Sequence, residues 1–343
     1  MKSTVAVNAF SNFVKNFGEL KFAFIQVTTR CNAKCLDRCN IWASKPIDLP
    51  LDDAIFAIDV LARNGFSFAY ITGGEPSLYP HLVALLAYAK RKGMVTSITS
   101  NGTISNDTLI DIRKNLDILS ISVDHYDEHL WDESKHIVGI AKKAKEAIQF
   151  AKKCGIKLYG ITFLNPSWTV AEVERIVHYV NDELGVPFAL SYPYVSSNNG
   201  TFSVGGDLCR SHFQVQENLR NMVAKVLEMK LLGSDIATVS CYLRDVVSAH
   251  DGLPIRYPCT AGRNSLAIDC NLNVFPCYMR QRVFNLRDCQ NLKDCCPDTT
   301  CGSYSFCFIN CFREASLASK GTLLKAVREE MSSNPKFYLR FLS

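Results

Sequence analysis

Fifteen cysteines stand out in this 343-residue chain, and their placement is uneven. Cys31, Cys35 and Cys39 share one short stretch, and nine more fall between Cys259 and Cys311. Only Cys154, Cys209 and Cys241 are scattered, as small core residues would be. A secreted disulfide protein would need a signal peptide, but Asn8, Asn12, Lys15, Asn16 and Glu19 interrupt the first twenty residues. No apolar run approaches a membrane span. The expectation is a cytoplasmic chain, where clustered thiols are metal ligands more often than disulfides. Three thiolates on one loop suit three irons of a [4Fe–4S] cube and leave the fourth iron open to an exogenous ligand. Zinc is the alternative. It normally takes four protein ligands, often with a C-x2-C pair, and this loop supplies neither.

A second motif lies downstream, Ile71-Thr72-Gly73-Gly74-Glu75-Pro76. Two glycines let the backbone approach a ligand closely, and Pro76 fixes the turn. Glu75 or nearby carbonyls can accept from an ammonium group. Alone, such a sequence could be a tight turn. One βα unit behind a cysteine triplet, it reads as a ligand cradle.

Both motifs need elements to position them. Short apolar runs at Phe22–Thr28, Phe68–Thr72, Val95–Ser100, Ile118–Val123, Lys157–Leu164 and Phe188–Tyr192 read as strands. Amphipathic stretches follow all but the last. Leu51–Asn64 aligns Leu51, Ala54, Ile55, Ile58 and Leu61, and Gly65 can close it. Lys135–Cys154 buries Ile137, Ile140, Ala144, Ile148 and Ala151 and turns its lysines outward. Thr169 and Glu172 make a capping box. The pattern is an α/β array of six βα units, a parallel sheet curved into a partial barrel over residues 21–195, after an N-terminal segment 1–20. Both motifs then sit beyond the carboxyl ends of the first two strands, where ligands gather in such folds. Residues 196–256 form a helical connection, with Ser211–Leu232 and Ser234–His250 helical. Residues 257–343 are cysteine-rich and irregular and end in a helix at Leu317–Ser332. Apolar residues at 48% and charged residues at 21% allow an ordinary packed core. The net charge of +5 is dispersed, which does not fit a nucleic-acid binder.

Together the motifs resemble the radical S-adenosylmethionine (SAM) superfamily, whose usual signature is C-x3-C-x2-C followed by G-G-E. The resemblance covers residues 20–195 as a partial TIM-like barrel. It implies an enzyme whose open iron binds the amino and carboxylate groups of SAM. Reductive cleavage then gives a 5′-deoxyadenosyl radical that abstracts hydrogen from substrate. Carried over by position, Cys31, Cys35 and Cys39 would be the cluster ligands. Gly73, Gly74, Glu75 and Pro76 would form the turn at the methionyl amino group. Asn101, in Ser100-Asn101-Gly102, and Ser122 and Asp124 match positions that face cofactor and substrate. Lys135 reads as a solvated charge. One departure is the spacing C-x3-C-x3-C, with Leu36-Asp37-Arg38 in place of two residues, so the loop must bulge outward. Arg38 replaces the family's aromatic before the third cysteine, and Trp42 is the next aromatic downstream.

The C-terminal cysteines resemble the SPASM and twitch extensions of many such enzymes, which hold auxiliary iron–sulfur clusters. Cys259 to Cys277 fits C-x(9–15)-G-x4-C, except that Leu272 replaces the glycine. Cys301, Cys307 and Cys311 fit the end of C-x2-C-x5-C-x3-C. Cys289, Cys295 or Cys296 could stand in for the missing pair. The resemblance implies one auxiliary cluster, a second being irregular, with Cys259, Cys277 and Cys311 as ligands and Cys270 as the fourth. A zinc ribbon is the alternative. SPASM-type enzymes often modify peptides or proteins by thioether or carbon–carbon crosslinking. However, about twenty residues precede the first strand, too few for a separate leader-binding domain, so a small molecule, sugar or lipid precursor is the alternative substrate. An electron donor such as flavodoxin or ferredoxin is implied. A non-catalytic zinc or iron–sulfur module is a third reading.

Overall fold

The computed structural model describes residues 19–35, 45–193, 216–278, 280–295, 308 and 310–333. Six parallel strands appear where the apolar runs place them: β1 (Phe22–Thr28), β2 (Phe68–Gly73), β3 (Val95–Ser100), β4 (Ile118–Ser122), β5 (Leu158–Phe163) and β6 (Phe188–Ser191). They are joined by α1 (Leu51–Arg63), α2 (Leu82–Arg91), α3 (Asn106–Ile112), α4 (Glu128–Lys135), α5 (Ile140–Lys153) and α6 (Val170–His178). The sheet runs β6-β5-β4-β3-β2-β1 and is not closed. Beyond β1 it continues with β7 (Ser265–Ile268), parallel to β1, and with the antiparallel β8 (Asn273–Phe275) and β9 (Phe284–Asn285). The cysteine-rich region therefore adds strands to the barrel's own sheet.

Alternation along each strand divides two environments. Ile25, Val27, Ala69, Ile71, Ile98, Leu119 and Ile121 face the helices and join Ile58, Leu61, Leu85 and Ile148 in the main core. Phe24 and Ala267 face the concave side, where they meet Phe275, Tyr278 and Phe312. Helix starts follow local chemistry. Ser105 Oγ accepts from Thr108 N–H at 3.1 Å, and Asp127 Oδ1 from Leu130 N–H at 3.1 Å. Thr169 and Glu172 close the expected capping box.

The expected helix Lys135–Cys154 starts five residues later, as α5 at Ile140, behind the separate α4. α4 ends at Lys135 because His136 adopts a left-handed conformation, φ 51°, and Gly139 does the same at φ 78°. Asp132 then accepts from Gly139 and Ala141 N–H groups and starts α5. The expected helix from Ser234 begins only at Ser240, as α8 (Ser240–His250), after α7 (Gln216–Leu231). The preceding residues cover the sheet edge: Phe188 N–H donates to Asp235 O, Ala237 N–H to Phe188 O, and Leu190 N–H to Thr238 Oγ1. This satisfies β6 groups that would otherwise offer a pairing template.

The last turns of the chain are α9 (Leu292–Cys295), α10 (Asn310–Leu317) and α11 (Leu323–Ser333). Asn310 extends the edge cover, taking Tyr192 N–H on its Oδ1 at 2.7 Å and giving Nδ2 to Leu190 O at 2.7 Å. α11 docks through a buried ion pair, Lys230 Nζ–Glu330 Oε2 at 2.9 Å. Glu330 also accepts from the Ser240 and Cys241 N–H groups at the start of α8. Removing one charge leaves its partner stranded in the core, a cost of about 3–5 kcal/mol. Lys230→Met should lower the urea midpoint accordingly, whereas Lys230→Met with Glu330→Leu should recover much of the loss.

Candidate active site

The loop leaving β1 carries Cys31 and Cys35, and its entry is clamped. Thr28 pairs antiparallel with Asp48, whose carboxylate accepts from Thr28 Oγ1 at 2.6 Å and from Arg30 Nε at 2.9 Å. Thr29 N–H donates to Ile47 O, and Leu49 N–H to Val27 O. Chain entering and chain returning are thus tied together at the loop's base. Cys31 is half-buried and Cys35 buried, and neither forms a disulfide. Cys31 Sγ accepts from Ala33 N–H at 3.4 Å. Cys39 lies outside the described residues.

The glycine motif fits directly under this loop. Gly74 N–H donates to Thr28 O and Glu75 N–H to Arg30 O, at 2.9 and 2.8 Å. A Cβ on Gly73 would lie 2.5 Å from Thr28 O, and one on Gly74 would lie 2.2 Å from Arg30 O. Only glycine permits this approach. Pro76, itself buried, opens the turn Pro76–Leu78, whose Ser77 N–H is capped by Glu75.

Glu75 itself differs from expectation. Its carboxylate is fully buried, with Oε1 accepting from Ser77 N–H and Ser100 Oγ, and Oε2 from Asn101 N–H at 2.7 Å. Burial pushes its pKa up, and these donors pull it back. The side chain therefore ties the second loop to the third instead of opening toward a ligand. Asn101 continues the link, giving Nδ2 to Asn32 Oδ1 at 2.8 Å, while Asn32 Nδ2 reaches Thr103 Oγ1 at 2.9 Å. Three consecutive strand ends are stitched together by Asn32, Glu75 and Asn101.

Ser122 is half-buried at the end of β4, on the face opposite Leu119 and Ile121. Asp124 is buried and ion-paired with Lys135 at 2.9 Å. Lys135 is thus a buried cation, not a solvated one, because α4 ends beneath the cysteine loop. Its carbonyl accepts from Lys34 N–H at 3.0 Å, a further anchor for that loop.

The C-terminal cysteines are less concentrated than expected. Cys259 and Cys277 border the concave apolar cluster that includes Phe312. Cys270 lies in the main core instead, its thiol donating to Gln26 O at 3.3 Å and pushed up to about 12 by burial. Cys311 is open to solvent on α10, within electrostatic reach of Tyr70 and Tyr159. Among the described residues, no three His, Cys, Asp or Glu side chains converge as a metal site. Cys289 and Cys295, considered as replacement ligands, are joined as a disulfide. Cys296, Cys301 and Cys307, like Cys209, lie outside the described residues. Cys241 is buried in the main core, and Cys154 packs against it. Leu272, in the family's glycine position, adopts φ 62° and keeps its side chain buried. The turn is held by Asp269, which accepts from Asn271 and Asn273 N–H groups.

Comparison with known proteins agrees with this geometry. Residues 25–180 match the model of the radical SAM superfamily and form a radical SAM domain. Fe-coproporphyrin III synthase of Methanosarcina barkeri is 29% identical over 53% of this chain and 46% of its own. A SAM-dependent nucleotide dehydratase of Lacinutrix mariniflava is 37% identical over 34% of this chain and 26% of its own. The matched stretch spans half or less of these curated relatives. Among solved structures, Streptococcus suis SuiB with bound SAM superposes with TM-score 0.63 at 17% identity, covering 87% of this chain and 71% of that one. anSMEcpe with bound AdoMet and a peptide gives 0.61 at 14% identity, covering 93% and 99%. The radical SAM match covers less than half of this chain, on a fold that SuiB and anSMEcpe share. No helix among the described residues is long and apolar enough to cross a membrane.

The fit can be tested on the glycines. Gly74→Ala forces its Cβ against the Arg30 carbonyl, so iron per chain and SAM affinity should both fall at least tenfold, with helical circular dichroism retained.

Proposed function

We propose that this enzyme modifies a peptide or protein segment by hydrogen abstraction, giving a thioether, a carbon–carbon crosslink or an oxidised residue. The observation that carries this reading is the cysteine loop, locked against Gly73 and Gly74 at the carboxyl ends of an unclosed parallel sheet. Cys31, Cys35 and Cys39 would hold a [4Fe–4S] cluster, and the described donors fit: Cys31 and Cys35 outside any disulfide, one accepting a backbone N–H, beside a backbone cradle that excludes side chains. When bound there, cluster and SAM supply a 5′-deoxyadenosyl radical on reduction. The chain's own part is positional. Arg30, Asp48 and the Lys135 carbonyl fix the loop, while Glu75, Asn101 and Asn32 fix the three strand ends around it. Ser122 faces the interior, where substrate would lie.

A peptide substrate is supported by the fold. The SuiB and anSMEcpe structures, which share it, include complexes with the precursor peptide SuiA and the Kp18Cys peptide. The curated relatives favour a second reading, a small-molecule substrate, because their names are those of a coproporphyrin synthase and a nucleotide dehydratase. We place the enzyme in the cytoplasm, reduced by a flavodoxin or ferredoxin. One auxiliary cluster would sit on the concave side near Cys259, Cys277 and Cys311. Its support is the shared apolar cluster, in which Phe312 follows Cys311 directly.

Anaerobically reconstituted, reduced protein should form 5′-deoxyadenosine from SAM, and Cys31→Ala should abolish it. Formation unchanged in Cys31→Ala would refute the assignment. Cys277→Ala should lose the auxiliary cluster's iron while SAM cleavage at the first cluster persists. Unchanged iron would exclude Cys277 as a ligand.

A further inference from the structure

The concave side of the barrel has a definite electrostatic character. None of the six parallel strands β1–β6 contains a charged residue. Their inner faces offer hydroxyls and rings instead, among them Tyr70, Thr99, Ser120, Ser122 and Tyr159. Register places Tyr70 beside Ser97, Thr99 beside Ser120, and Ser120 beside Tyr159, so these groups form one continuous band across four strands. Ser120 Oγ donates to Thr99 Oγ1 at 2.7 Å within it. At the mouth, Arg30 pairs with Asp48 and Lys135 with Asp124.

α10 lies across this band. Phe312 stands 4.9 Å from Phe24, centroid to centroid, and Phe24 stacks on Tyr70 at 5.1 Å. On the same helix, Cys311 and Glu314 lie within electrostatic reach of the hydroxyls of both Tyr70 and Tyr159. Glu314 is half-buried. Its Oε1 accepts from Val239 N–H at 2.9 Å, and its Oε2 makes no hydrogen bond among the described residues. Burial pushes this carboxyl up to about 7, while the Val239 N–H and the Lys230 charge pull it back and Glu330 raises it further.

We infer that the substrate segment held in the barrel is neutral or positively charged, with an ammonium or guanidinium seated on Glu314, and that carboxylate- or phosphate-rich substrates are disfavoured. An anion entering the band would lose hydration without meeting a free cation on the strands, and would also face Glu314. A cation gains a charge-assisted bond at Oε2, and its neighbouring peptide groups find hydroxyl partners. This rests on the radical SAM reading and narrows its substrate class toward a lysine- or arginine-bearing peptide.

Full-length reconstituted protein with SAM can be titrated calorimetrically with three probes. These are a capped glycine pentapeptide with central lysine, the same peptide with central glutamate, and coproporphyrin III. The lysyl peptide should bind at least tenfold tighter than the other two. Glu314→Gln should bring the two peptides within about threefold of each other, and Glu314→Asp should restore part of the preference, which separates recognition from misfolding. Equal or tighter binding of either anionic probe would overturn the inference. So would a preference that survives Glu314→Gln, or a lysyl peptide that fails to bind at millimolar concentration. 5′-Deoxyadenosine measured in the same preparations separates the two levels. Its formation alongside a failed preference removes only the substrate class, whereas its absence in iron-loaded protein removes the radical reading.

Discussion

The close approach of two backbones, Thr28–Arg30 above and Gly73–Glu75 below, is the constraint on which the site depends. The two glycine Cβ positions are filled by carbonyl oxygens of the facing segment. The same segments exchange hydrogen bonds at 2.9 and 2.8 Å. The loop carrying Cys31 and Cys35 therefore starts from a fixed platform. A cluster held there would leave an open iron beside the exposed backbone of the second strand end. Parallel strands make this possible, since their carboxyl ends all emerge on one side.

Around that contact the polar groups serve alignment. Glu75 occupies the position where a ligand-binding carboxylate was expected, but its oxygens are taken by the next loop. Asn101 and Asn32 carry the tie back to the cysteine loop. Asp124 and Lys135 neutralise each other beneath it. A buried charge without a partner would be costly, and each of these is paired or multiply hydrogen-bonded. At the far edge, Asn310, Lys230 and Glu330 dock the C-terminal helices.

The strands were legible because period-two apolar runs in a parallel sheet carry a strong signal, and β1 and β3 have the bounds read from the sequence. β8 (Asn273–Phe275) ends two residues before Cys277. The start of α5 was not legible. Lysines and alanines continue an amphipathic pattern past His136 and Gly139, and only the Asp132 cap reveals the break. Leu272 shows the converse, since its left-handed φ explains why the family pattern has glycine there, while its burial explains why leucine is kept. The burial of Lys135, the inward turn of Glu75 and the placement of Glu314 depend on contacts between distant segments. Val239 and Glu314, for example, meet across 75 residues. No local pattern encodes such a contact.

The central claim is that the loop after β1 presents an iron to SAM. Electron–nuclear double resonance on the reduced protein, with SAM labelled with 15N at its amino group, tests this most directly. A strong 15N hyperfine coupling should appear and should be absent in Gly74→Ala, because the ligand and the glycine platform share one site. A reduced cluster that shows no coupling to the label at saturating SAM would contradict the account.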